Sequence, residues 1–100
     1  MNFSVVIVSF KSFHLVEKHI QEIGEKQQII VIENSLDNTL KDKLEKLHPN
    51  VEVVIPNKNL GYGAALNLGI KISKNNFVFC MAADLKIRKN CFINLSNIVN

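Results

Sequence analysis

Phe3-Ser4-Val5-Val6-Ile7-Val8-Ser9-Phe10 carries four β-branched residues in succession with no polar alternation. A run this short with both side-chain parities apolar reads as a strand covered on both faces, the signature of a parallel sheet sandwiched between helices. Three further runs have the same character: Gln28 to Glu33, Val51 to Ile55 and Phe77 to Met81. The segments between them change period. Phe13, Val16, Ile20 and Ile23 form an apolar helical stripe that ends at Gly24, and Leu40, Leu44 and Leu47 form a second that stops at Pro49. Ala64, Ala65, Leu68 and Ile72 make a third, and Phe92, Leu95, Ile98 and Val99 a fourth. Strand and helix alternate throughout. The expected architecture is therefore a three-layer α/β/α domain with a four-stranded parallel sheet, right-handed crossovers, strand order 3-2-1-4 and two helices on each face.

One hundred residues hold one such domain and no second. Hydrophobic residues at 47% and charged residues at 21% place the chain among ordinary globular proteins and exclude a disordered or fibrous one. The net charge of +3 is spread along the chain, without the basic stripe and interleaved aromatics of a nucleic-acid surface. Lys41, Lys43 and Lys46 alternate with Asp42 and Glu45, which reads as a solvated helix face. No apolar run is long enough to span a bilayer, and no charged leader precedes the first strand, so a cytoplasmic location is expected. Cys80 and Cys91 lack metal-ligand spacing and read as buried free thiols.

In an open parallel sheet, ligands bind beyond the carboxyl ends of the strands. Those ends carry Ser9, Phe10, Lys11 and Ser12; Glu33, Asn34, Ser35 and Asp37; Asn57 to Gly63; and Ala82, Ala83 and Asp84. The segment Asn59-Leu60-Gly61-Tyr62-Gly63 opens the third helix. Its glycines permit positive φ and close approach of backbone to ligand, and the helix start behind them offers free N–H groups and partial positive charge. Asn67 lies one turn further on, and Gly69 is read as a helix-packing glycine. Ser35 and Asp37 also suit a helix cap. A Rossmann fingerprint is excluded because Gly61 and Gly63 follow the third strand and position 66 is Leu; no Walker loop is present. An acidic pair of the response-regulator kind is missing after the first strand. His14, His19 and His48 sit away from the carboxyl strand ends and are read as surface or packing residues.

Together Val8-Ser9-Phe10, Glu33-Asn34-Ser35 with Asp37, Asn59-x-Gly61-x-Gly63-x-x-x-Asn67-x-Gly69 and Ala82-Ala83-Asp84 resemble family 2 glycosyltransferases of the GT-A type, particularly a bacterial rhamnosyltransferase-like branch. The resemblance runs from about Phe3 to Ile87. It implies that Ser9 and Phe10 line the base site, that Glu33 accepts a hydrogen bond from base or ribose with Asn34 and Ser35 assisting, and that Asn59, Gly61, Gly63 and Asn67 pack on the nucleoside. It further implies that Asp84 belongs to a D-x-D-like site for Mg²⁺ or Mn²⁺, which would neutralise the departing diphosphate of a UDP- or dTDP-sugar. The implied reaction is direct displacement with inversion onto a glycan or lipid-linked acceptor in bacterial surface polysaccharide synthesis.

Three departures qualify the match. Glu33 stands where the family more usually carries Asp. Ala82 stands where the family carries Asp or Asn. No carboxylate follows Asp84, although the family places its general base there, so residues 1–100 read as a single nucleotide-sugar-binding domain that stops before catalysis is complete. The fourth strand would then form an exposed sheet edge prone to pairing with another copy, and self-association is expected. A non-catalytic binding or assembly module that kept the fold is the alternative.

Overall fold

The computed structural model describes residues 2–85; the fourth predicted helix, Lys86, Arg88, Lys89 and Cys91 lie outside the described residues. Four strands, β1 (Ser4–Ser9), β2 (Gln28–Glu33), β3 (Val51–Val54) and β4 (Val78–Ala82), alternate with three helices, α1 (Phe13–Ile23), α2 (Lys41–Leu47) and α3 (Gly61–Ile72). The sheet is parallel throughout with order β3-β2-β1-β4, as the alternation predicts. Some strand ends move by one residue: Phe3, Phe10, Ile55 and Phe77 fall outside the ladders, while Ala82 joins β4.

Every residue of the central β1 is buried, and the inner four of β2 are too, so the unbroken apolar runs are explained by cover on both faces. The marginal β3 alternates, with Glu52 exposed, and β4 is only partly buried, each having one strand neighbour among the described residues. On one face Val16, Ile20 and Ile23 of α1 and Leu44 of α2 meet Val5, Ile7, Ile29, Val31 and Val53. Ala65 of α3 meets Val6, Val8, Ile30 and Ile32 on the other. Burying each large aliphatic side chain contributes about 1.5–3 kcal/mol. Not all of the helical stripes go inward: Leu47 and Ala64 are exposed. Gly24 does end α1, at φ +88°, donating its N–H to Ile20 O at 3.0 Å.

Gly69 packs α3 onto β1. A Cβ there would overlap Val6 Cγ1 and lie 2.9 Å from Cγ2, so only glycine lets helix and strand approach this closely.

The outer margin of β3 is closed by side chains of α2. Glu45 Oε2 accepts the Val53 N–H at 2.8 Å, Lys41 Nζ donates to Val53 O at 2.6 Å, and the two side chains pair with each other at 2.6 Å. Burial would raise the Glu45 carboxyl, but the Lys41 ammonium and the Val53 N–H outweigh it and hold it below the usual range. The expected solvated face is thus corrected for Lys41 and Glu45, which occupy edge hydrogen-bonding positions that a further strand would use.

Candidate functional site

Two backbone hydrogen bonds continue the ladders past the strand ends: Asn34 N–H to Ser9 O at 2.8 Å and Ala83 N–H to Val8 O at 2.9 Å. They draw the carboxyl ends of β2, β1 and β4 onto one rim. Because Glu33 pairs with Ser9 and Val8 with Ala82 in register, the rim from Glu33 to β4 crosses two strand spacings, about 10 Å.

A cleft of about 350 Å³ opens between the ends of β1 and β4, the point where the strand order reverses. Its walls are Val8, Ser9, Phe10 and Ser12 from β1 and the following turn, Asn34, then Asn59, Gly61 and Tyr62 at the start of α3, and Ala82, Ala83 and Asp84 after β4. This volume is within the range of small-ligand sites. Six of the expected site residues, Ser9, Phe10, Asn34, Asn59, Gly61 and Asp84, line it together. Glu33 and Ser35 instead line a separate pocket of about 30 Å³ between α1, α2 and β2, with Lys11, Asp37 and Lys41, large enough for about one water. Gly63 and Asn67 are exposed on the first turns of α3 and line neither. The division follows from the strand: neighbours Glu33 and Asn34 project to opposite faces of the sheet.

Glu33 organises two loops. Its Oε2 accepts the Lys11 N–H at 2.9 Å, the Ser35 hydroxyl at 2.6 Å and the Ser35 N–H at 3.3 Å. Lys11 holds φ +53°, a left-handed conformation that a non-glycine residue keeps only when its surroundings fix it. Burial would raise the Glu33 carboxyl, but hydrogen bonds from Ser35 and Lys11, aided by the nearby Ser9 hydroxyl, hold it below 4.5. Ser9 Oγ is buried and, among the described residues, closes no hydrogen bond of good geometry, so its help to Glu33 is weaker than that of Ser35 and Lys11.

A lowered folded value means that protons bind the unfolded chain more readily, so the stabilisation is complete above pH 4.5 and is lost as pH falls through the lower folded value. Thermal unfolding of Glu33→Gln and the parent chain is expected to differ most near neutrality and to converge as pH drops below that value. A difference that persists unchanged through the acid range would remove this role.

Asn34, 4% exposed, clamps the glycine loop: Oδ1 accepts the Leu60 N–H and Nδ2 donates to Gly61 O, both at 3.1 Å. Asn59 Oδ1 accepts the Gly61 N–H at 2.9 Å, and Gly61 sits at φ +74°. Gly63 has neither constraint: its φ is ordinary and a Cβ would meet nothing, so within this chain open space is what its missing side chain leaves. Asn59 thus takes the first N–H of α3, while the N-cap residue Leu60 offers no side-chain cap, so among the described residues the N–H groups of Tyr62 and Gly63 keep no side-chain partner. The capping role expected for Ser35 or Asp37 is corrected. Ser35 Oγ and Asp37 Oδ1 accept the N–H groups of Asp37 and Thr39 in local turns, while α2 begins only at Lys41.

Asp84 is exposed at the end of the turn in which Leu85 N–H reaches Ala82 O. Behind it, His19 of α1 is 4% exposed and its Nε2 lies 2.8 Å from Ala83 O. The packing role allowed for His19 agrees with its burial, but the expectation that it sits away from the carboxyl strand ends is corrected by this contact. The signal was spacing, since position 19 completes the stripe Val16, Ile20, Ile23. The sequence profile described as Glycosyl transferase family 2 matches residues 4–97.

The chain belongs to glycosyl transferase family 2.

Among curated proteins no significant match to the chain is found. The glycosyltransferase family signature carries sugar transfer and nucleotide-sugar binding as general properties, and the α/β unit seen here agrees with half of a GT-A fold. Family 2 members generally use a divalent cation. Among the described residues of this glycosyltransferase chain, no three His, Cys, Asp or Glu side chains cluster to hold one. Asp84 with Ala82 two residues before it supplies one carboxylate, which is compatible with a hard cation whose remaining ligands are phosphate and water. Cys80 is free and only partly buried, with its thiol pushed up by burial. Among the described residues no helix is long and apolar enough to cross a membrane.

Proposed function

We propose that the 350 Å³ cleft binds a UDP- or dTDP-sugar and that the chain serves inverting transfer of the sugar to a glycan or lipid-linked acceptor, as in the bacterial rhamnosyltransferase-like branch. The observation that carries this reading is the shared cleft of Asp84 and the start of α3 at Gly61 and Tyr62. A diphosphate needs N–H donors and positive potential on one side and a cation-holding carboxylate on the other. Gly61 lets the backbone approach it, and Phe10 and Tyr62 flank it as apolar walls for a nucleoside. When bound, a divalent cation held by Asp84 would offset charge on the leaving diphosphate. The acceptor hydroxyl oxygen forms its bond to the anomeric carbon as the bond to the diphosphate oxygen breaks, and its proton passes to a general base, which the family places after the position of Asp84.

Calorimetric titration with UDP and dTDP, each with and without Mn²⁺, tests this. Binding that strengthens with Mn²⁺ is expected, and Asp84→Asn should abolish most of that increment, on the order of tenfold, while leaving metal-free affinity in place. The second reading, a non-catalytic nucleotide-binding or assembly module, is favoured by Ala82 and predicts no gain with Mn²⁺. Preference for adenine nucleotides would refute both.

A further inference from the structure

We infer that His19 is a positioning residue for Asp84, fixing the loop after β4 from below the cleft; this rests on the reading of Asp84 as the cation-holding carboxylate.

A carbonyl oxygen only accepts, so the contact with Ala83 O requires the proton on His19 Nε2. The imidazole is almost wholly enclosed, and its Nδ1 is buried without a partner among the described residues. A buried polar ring with one nitrogen unpaired is a costly choice for a position that Leu would fill, given neighbours Val16, Ile20 and Ile23. What the ring supplies that Leu cannot is a donor reaching 64 residues along the chain to the turn after β4. Ala83 is thereby held by both of its backbone groups: its N–H by Val8 O at 2.9 Å and its C=O by His19 at 2.8 Å. The next residue is Asp84, exposed in the cleft. With a single carboxylate where the family usually offers two acidic or amide positions, placement of that one group decides how well a cation bridges protein and diphosphate.

Three variants separate positioning from bulk. His19→Leu keeps an apolar filling without a donor, His19→Gln places an N–H near the position of Nε2, and His19→Asn places one near Nδ1, short of Ala83. Amide hydrogen exchange of the full chain is expected to quicken about tenfold at Ala83 and Leu85 in the Leu and Asn variants, and to stay within about threefold of the parent in Gln. Ile30, on the far side of the sheet, should not change in any of them. The Mn²⁺-dependent part of UDP affinity should follow the same order, with metal-free affinity unchanged. Parental exchange at Ala83 and Leu85 in both donor-less variants would overturn the inference. So would an affinity loss equal with and without Mn²⁺, or failure of Gln to restore what Leu loses. If the parent itself shows no Mn²⁺ effect, the functional reading falls and with it the role toward Asp84, whereas normal Mn²⁺ dependence in all three variants sinks the inference alone.

Discussion

Gly69→Val is expected to cost the fold about 3 kcal/mol or more. The added side chain would enter the space of Val6, which is fully buried and stiff about χ1, so relief by rotation is closed off. Gly69→Ala should cost less, because alanine regains about 1 kcal/mol of helix propensity against a steric penalty of about 1–3 kcal/mol. Urea unfolding of Gly69→Ala, Val6→Ala and the pair would show the mechanism directly. In the double variant the methyl groups exchange room, and a coupling above about 1 kcal/mol is expected. If Gly69→Ala proves as stable as the parent or more so, helix propensity has won and the close approach is not limiting.

Asn34→Ala is expected to lower stability by about 2 kcal/mol and to release the loop that begins α3. It removes the partners of Leu60 N–H and Gly61 C=O together, and each orphaned group in a partly buried place costs about 1 kcal/mol or more. For a domain of this size that is a fall in Tm of roughly 8–16 °C. Asn34→Asp separates the two halves of the clamp: it keeps an acceptor for Leu60 and sets a carboxylate against the Gly61 carbonyl. Exchange at Leu60 should therefore stay slow in Asp and quicken in Ala. Equal exchange at Leu60 in both, at the parental rate, would show that the clamp contributes nothing to holding the loop.

These two residues also show how far the sequence could be read. The sheet was legible because β1 and β2 lack polar alternation and strict strand–helix alternation with right-handed crossovers makes it parallel, and the order β3-β2-β1-β4 agrees with the expected one. Gly69 was legible as a packing glycine, and the structure names its partner as Val6. The site was legible as a set of strand ends but not as a geometry. Glu33 and Asn34 were assigned to one ligand, yet adjacent strand residues point apart, so Glu33 fixes the turns at Lys11 and Ser35 while Asn34 holds the loop at Gly61. Period-two reasoning alone contained that answer. His19 was hidden for a different reason: a contact 64 residues distant has no local signature, and only the helical spacing shows that the ring must face inward.

The pairing of Lys41 and Glu45 across Val53 acts as a guard on one flank of the sheet. An incoming strand at β3 must first evict two charged side chains already seated on the backbone it would join. Neutralising Glu45 would leave the Val53 N–H open to such a visitor.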